Sequence, residues 1–87
     1  MAWTYMLRGD SGRYYIGSTT HLERRLEEHR RGQTHTTQRM GGNLELVAAT
    51  ELATLPEARA LERDMKRKKN PRLAFALLQK RKQELNG

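Results

Sequence analysis

The four residues Gly9-Asp10-Ser11-Gly12 constrain this chain more than any others. Glycines flanking a polar pair favour a tight turn, because glycine reaches backbone angles that strain other residues. Before the turn, Trp3, Tyr5 and Leu7 alternate with Thr4 and Met6; after it, Arg13 to Ile16 has strand character too. Two such runs joined by such a turn predict an antiparallel hairpin over the first 17 residues. Gly17 ends it, where the backbone needs freedom from a side chain.

The remaining punctuation predicts one more strand and three helices. Thr20-His21-Leu22-Glu23 has capping-box spacing and opens a helix to about Arg31, with Gly32 as its stop. Leu22, Leu26 and His29 share one face of it, joined by Arg25, while Arg24, Glu27, Glu28 and Arg31 face water. Residues 33–43 predict a polar loop carrying His35, Thr36, Thr37 and Arg39. Leu44 to Leu52 predicts a third strand, with Leu44, Leu46 and Ala48 on one face. Thr54-Leu55-Pro56-Glu57 opens a second helix with a buried stripe of Ala58, Leu61 and Met65, and Glu62 beside it. Asn70-Pro71 starts a third, with a stripe of Leu73, Ala74, Leu77 and Leu78. Past residue 80 the chain turns polar, which predicts a frayed tail over 81–87 after a single domain over 1–80. The order strand, strand, helix, strand, helix, helix predicts an α+β fold, a small antiparallel or mixed sheet with helices packed on it.

Composition narrows the function. Eighty-seven residues suffice for one domain and a modest core. With no cysteine there is neither a disulfide framework nor a thiolate metal site. No apolar run is long enough to span a membrane, and Met1-Ala2-Trp3-Thr4 does not open a secretory signal, so the expectation is a cytoplasmic protein with no membrane partner. Seventeen lysines and arginines against ten acids give a net charge of +7, which favours a polyanion such as nucleic acid over a merely basic surface.

Several side chains could carry chemistry. Arg25 and His29 project side by side from one helix toward its apolar stripe. A half-buried guanidinium needs an anion, either a carboxylate such as Glu62 or a phosphate gripped by its forked donors. His29 either packs or moves protons. Tyr5 and Tyr15 suit a half-buried strand surface, and hairpin pairing can bring both near the helix start. A phenol, with a pKa near ~10, acts as a base at neutral pH only where a cation favours its phenolate. Glu62 is the best-placed carboxylate for a divalent metal, with Asp64, Glu57 and Glu51 as competitors; the plainer reading pairs it with Lys66 or Arg59 on the helix surface. Lys66, Arg67, Lys68, Lys69 and Arg72 put five cations into seven positions, suited to a phosphate backbone or to a solvated helix end. No recognition-helix, zinc or RNA-binding aromatic signature accompanies them.

Taken together, these residues resemble the GIY-YIG endonuclease superfamily, in its small stand-alone form. The second triad is intact as Tyr15-Ile16-Gly17, while Trp3-Thr4-Tyr5 stands in place of the first. The run from Tyr14 through Arg25 to His29 fits the stand-alone pattern, as does Glu57-Ala58 leading to Glu62, Met65 and Lys66. The resemblance implies a three-stranded antiparallel sheet flanked by helices. It implies Tyr5, Tyr15, Arg25 and His29 as catalytic residues, and Glu62 as the sole protein ligand of one Mg²⁺ or Mn²⁺. Arg25 would hold the scissile phosphate, and His29 would assist proton transfer. Ser18 stands where some relatives carry lysine; with His35 and Arg39 it joins the basic run as an expected nucleic-acid contact. The implied activity is metal-dependent hydrolysis of phosphodiesters, in DNA ahead of RNA, with low sequence specificity or a structural preference, and a role in repair or recombination. A targeting partner or a homodimer fits the same expectation. The competing readings are a non-catalytic nucleic-acid-binding module of this fold and a scaffold whose basic face docks an acidic protein.

Overall fold

A computed structural model describes residues 1–31 and 44–86. Its elements are β1 (Ala2–Gly9), β2 (Tyr14–Thr19), α1 (Leu22–Arg30), β3 (Leu44–Leu52), α2 (Leu55–Arg67) and α3 (Pro71–Asn86). The strands form one antiparallel sheet in the order β2-β1-β3, the α+β arrangement expected from the sequence. The hairpin turn closes through Gly9 N–H to the Arg13 carbonyl (2.9 Å) and Gly12 N–H to the Gly9 carbonyl (3.0 Å). Gly12 takes φ +82°, which explains a glycine there.

The first two strands depart from the simple alternation. As the central strand, β1 is covered on both faces, and Thr4, Tyr5, Met6 and Leu7 are all at most 2% exposed. Tyr5 meets α1 through His29, whereas Thr4 donates to the Ala58 carbonyl of α2 at 2.7 Å. Met6 joins Ala2, Leu52, Ala58, Leu61, Met65, Ala74 and Leu78 in the core between the sheet and α2 and α3. Strand β2 does not stop at Gly17 but runs on to Thr19, with Gly17 paired to Tyr5.

Three element boundaries also differ from the sequence expectation. Thr20 is not the cap of α1. His21 holds that position without a side-chain bond, while Thr19 Oγ1 accepts the His21 N–H at 3.1 Å. In β3 the register slips between Met6, paired with Ala48, and Leu7, paired with Leu46. Val47 is the extra residue of this bulge, so Val47 and Ala48 pack on the core and Leu46 is left 39% exposed. The tail expected to fray after residue 80 is helical to Asn86, because every residue from Gln79 to Leu85 is a strong helix former.

The other caps follow the sequence. Thr54 Oγ1 accepts from Glu57 N–H at 3.3 Å with Pro56 in the first turn of α2. Asn70 Oδ1 accepts from Arg72 N–H at 2.9 Å and Leu73 N–H at 3.3 Å at the start of α3. Ala74 and Leu78 are buried and Leu77 packs on the core, but Leu73 is 51% exposed and leaves the expected stripe. Among the described residues, no helix is long and apolar enough to cross a membrane.

Candidate active site

Hairpin register sets the geometry of the site. Tyr5 pairs with Gly17 and Leu7 with Tyr15, so the two tyrosines are diagonal neighbours on one face. Their rings lie 6.1 Å apart. The missing side chain of Gly17 makes this possible: a Cβ there would fall 2.5 Å from the Tyr5 hydroxyl and 2.7 Å from its Cζ. Helix α1 brings His29 onto the same face, 5.9 Å from the Tyr5 ring and 4.8 Å from the Tyr15 ring. The Tyr5 hydroxyl lies 3.0 Å from His29 Nε2, with both residues 1% exposed. Tyr15 is half-buried.

Burial governs the protonation of this pair. Desolvation, reinforced by the neighbouring Tyr15, raises the Tyr5 pKa well above its ordinary value, and the Arg25 charge only partly offsets this. Desolvation and then Arg25 lower the pKa of His29 below 6.5. Both groups are therefore neutral near pH 7. The phenol, the stronger acid of a neutral pair, donates to Nε2, which leaves the imidazole proton on Nδ1.

Arg25 sits one turn before His29, with its side chain 42% accessible and 3.6 Å from Glu28. The ion pair with Glu62 considered from sequence is not formed. Glu62 instead holds Ser18 Oγ at 2.5 Å on one oxygen and Lys66 Nζ at 2.6 Å on the other. Ser18, expected as a nucleic-acid contact, is thus committed to the carboxylate. As the neighbour of Gly17 in β2 it points to the opposite face, where α2 lies. Tyr5, Tyr15, Arg25 and His29 gather on one face, and Ser18 and Glu62 stand on the other. Tyr5 feels the charges of both Arg25 and Glu62.

The cationic run is exposed, and Arg67 lies 3.9 Å from Asp64. A groove lined by Arg59, Glu62, Arg63, Lys66, Arg67 and Lys69 joins it to the carboxylate. Arg59, read from the sequence only as a possible partner of Glu62, and Arg63 fall on successive turns of α2 rather than in a run. His35 and Arg39, with Thr36 and Thr37, lie outside the described residues. No group of three or more histidine, cysteine or acidic residues converges on one point among the described residues.

Comparison with known proteins accords with this geometry. Residues 1–74 match the GIY-YIG catalytic domain, a nuclease domain family. UPF0213 proteins of two strains of Streptococcus pneumoniae are each 39% identical over 70 residues, spanning 80% of this chain and 71% of theirs. The solution structure of a UPF0213 protein from Bacillus halodurans superposes with a TM-score of 0.50 at 30% identity, over 86% of this chain and 85% of that one. The chain belongs to the GIY-YIG family and, within it, to the stand-alone UPF0213 proteins.

Proposed function

We propose that this protein is a metal-dependent endonuclease that hydrolyses phosphodiester bonds, in DNA of low sequence specificity or of particular structure, in repair or recombination. The observation that carries this reading is the Tyr5–His29–Tyr15 cluster, buried beside Arg25 and within electrostatic reach of Glu62.

Arg25 grips two oxygens of the scissile phosphate with its forked donors and stabilises the charge that builds as water attacks. Tyr15 is the phenol that reaches the water, since Tyr5 is sealed and stays protonated. The two phenols and His29 form a relay. Tyr15 accepts the water's proton as it passes its own to the Tyr5 oxygen, and Tyr5 passes its own to His29 Nε2. Neither phenol becomes a free phenolate. A carboxylate suits a hydrated hard cation, so Glu62, on exchanging Lys66 for the ion, would hold one Mg²⁺ or Mn²⁺, which would supply charge neutralisation at the leaving 3′-oxygen. Ser18 fixes the orientation of that carboxylate.

The test is cleavage of labelled single-stranded, duplex, flap and branched DNAs with Mg²⁺, with Mn²⁺ and with chelator, by wild type and Arg25→Ala. Metal-dependent cutting is expected in wild type, with a loss of about 10²-fold or more in Arg25→Ala at an unchanged melting temperature. A collapse of stability in Arg25→Ala would make the arginine structural, and no cutting of any substrate would oppose the nuclease reading.

A further inference from the structure

A shallow apolar trough leaves the catalytic edge of the sheet and passes the α2–α3 link. Its floor is Met6, Ile16, Met65 and Ala74, and Tyr15 and Lys66 line it as well. Tyr14, Asn70 and Pro71 then separate it from a second hollow that adds Val47, Arg72 and Phe75. Two aromatic rings along this path face water: Tyr14 is 40% exposed and Phe75 37%. Arg13, Lys66 and Lys69 flank the first hollow and Arg72 the second. Among the described residues, the lining of both carries these four cations and no carboxylate.

Interleaved rings and cations, with no acid among them, match a nucleic-acid strand whose base faces are free. A duplex keeps its base faces stacked on one another, so it can use the cations but not the rings. Tyr14 and Tyr15 are consecutive in the edge strand β2 and point to opposite faces. A strand draped over that edge places a phosphate at the Tyr15 side while the next base meets Tyr14.

We propose that this trough is a subsite for an unpaired stretch of nucleic acid flanking the scissile phosphate. Its bases stack on Tyr14 and Phe75, and its phosphates meet Arg13, Lys69 and Arg72. The assignment of the scissile phosphate rests on the nuclease reading above; the binding itself does not.

The experiment measures binding of a fluorescein-labelled oligothymidine and of a labelled hairpin duplex of equal phosphate count, by anisotropy in chelator so that nothing is cut. Wild type is compared with Tyr14→Ala, Tyr14→Phe and Phe75→Ala. Tyr14→Ala and Phe75→Ala should each weaken the single strand about tenfold and the duplex less than about twofold, while Tyr14→Phe keeps wild-type affinity. Should Tyr14→Ala fail to fold, Phe75→Ala carries the same contrast. Equal weakening of both probes, or of neither, overturns the proposal, as does displacement by polyglutamate that ignores the rings. Ring-dependent binding from a protein that cuts nothing would uphold the subsite and sink the nuclease reading. Cleavage with ring-independent binding would do the reverse.

Discussion

At the scale of single residues, the site depends on one absent side chain and one buried proton acceptor. Gly17 leaves room for the Tyr5 hydroxyl, which is pinned by His29 and cannot yield. Gly17→Ala should therefore cost about 1–3 kcal/mol of stability and abolish cleavage, as read by urea denaturation and by the DNA panel. His29 has a folded pKa below its unfolded value of 6.5, so the unfolded chain binds the extra proton more readily. Its contribution is complete above about pH 6.5 and fades as pH falls through the folded value. Denaturation at about pH 8 and about pH 5 should show wild type losing more stability on acidification than His29→Gln. That Tyr5, Tyr15, Arg25 and His29 share one face was legible in the sequence because their spacing is local: Arg25 and His29 lie one helical turn apart, and Tyr5 and Tyr15 flank one hairpin turn. The role of Ser18 was not legible, because its partner Glu62 lies 44 residues away and is reached only after α2 docks.

At the scale of elements, the α2–α3 link holds the most strained residue. Lys69 takes φ +53°, the left-handed conformation in which helices commonly end on glycine. Lys69→Gly should raise stability by about 0.5–1 kcal/mol, measurable as a higher melting temperature, and weaken nucleic-acid binding by removing one cation. Caps written as Thr54 and Asn70 were read correctly from the sequence because each bonds within three residues. The start of α1 was misread, since Thr19 and Thr20 compete for that role and the hairpin register keeps Thr19 at the helix entrance. The bulge at Val47 was invisible for a similar reason. Its cause is the pairing with β1, and the run Leu44 to Ala48 carries no turn residue to mark it.

At the scale of the whole molecule, a three-stranded sheet separates the work of its two faces. One face, under α1, carries Tyr5, Tyr15, His29 and Arg25, and the other carries the core, Glu62 and the cationic helix end. The α+β fold was legible from element order, but this division between the faces was not, because strand register sets it. The trough of Tyr14 and Phe75 was not legible, because residues of all three strands and of α2 and α3 meet in it only once the chain has folded. The proposed assembly hydrolyses a phosphodiester with Glu62 as the only protein carboxylate committed to the metal. Single-turnover cleavage and DNA affinity, measured side by side for wild type and Glu62→Ala in Mn²⁺, test it most directly. The expected result for Glu62→Ala is a rate at least about 10³-fold lower with affinity within about twofold. An undiminished rate in Glu62→Ala would contradict it.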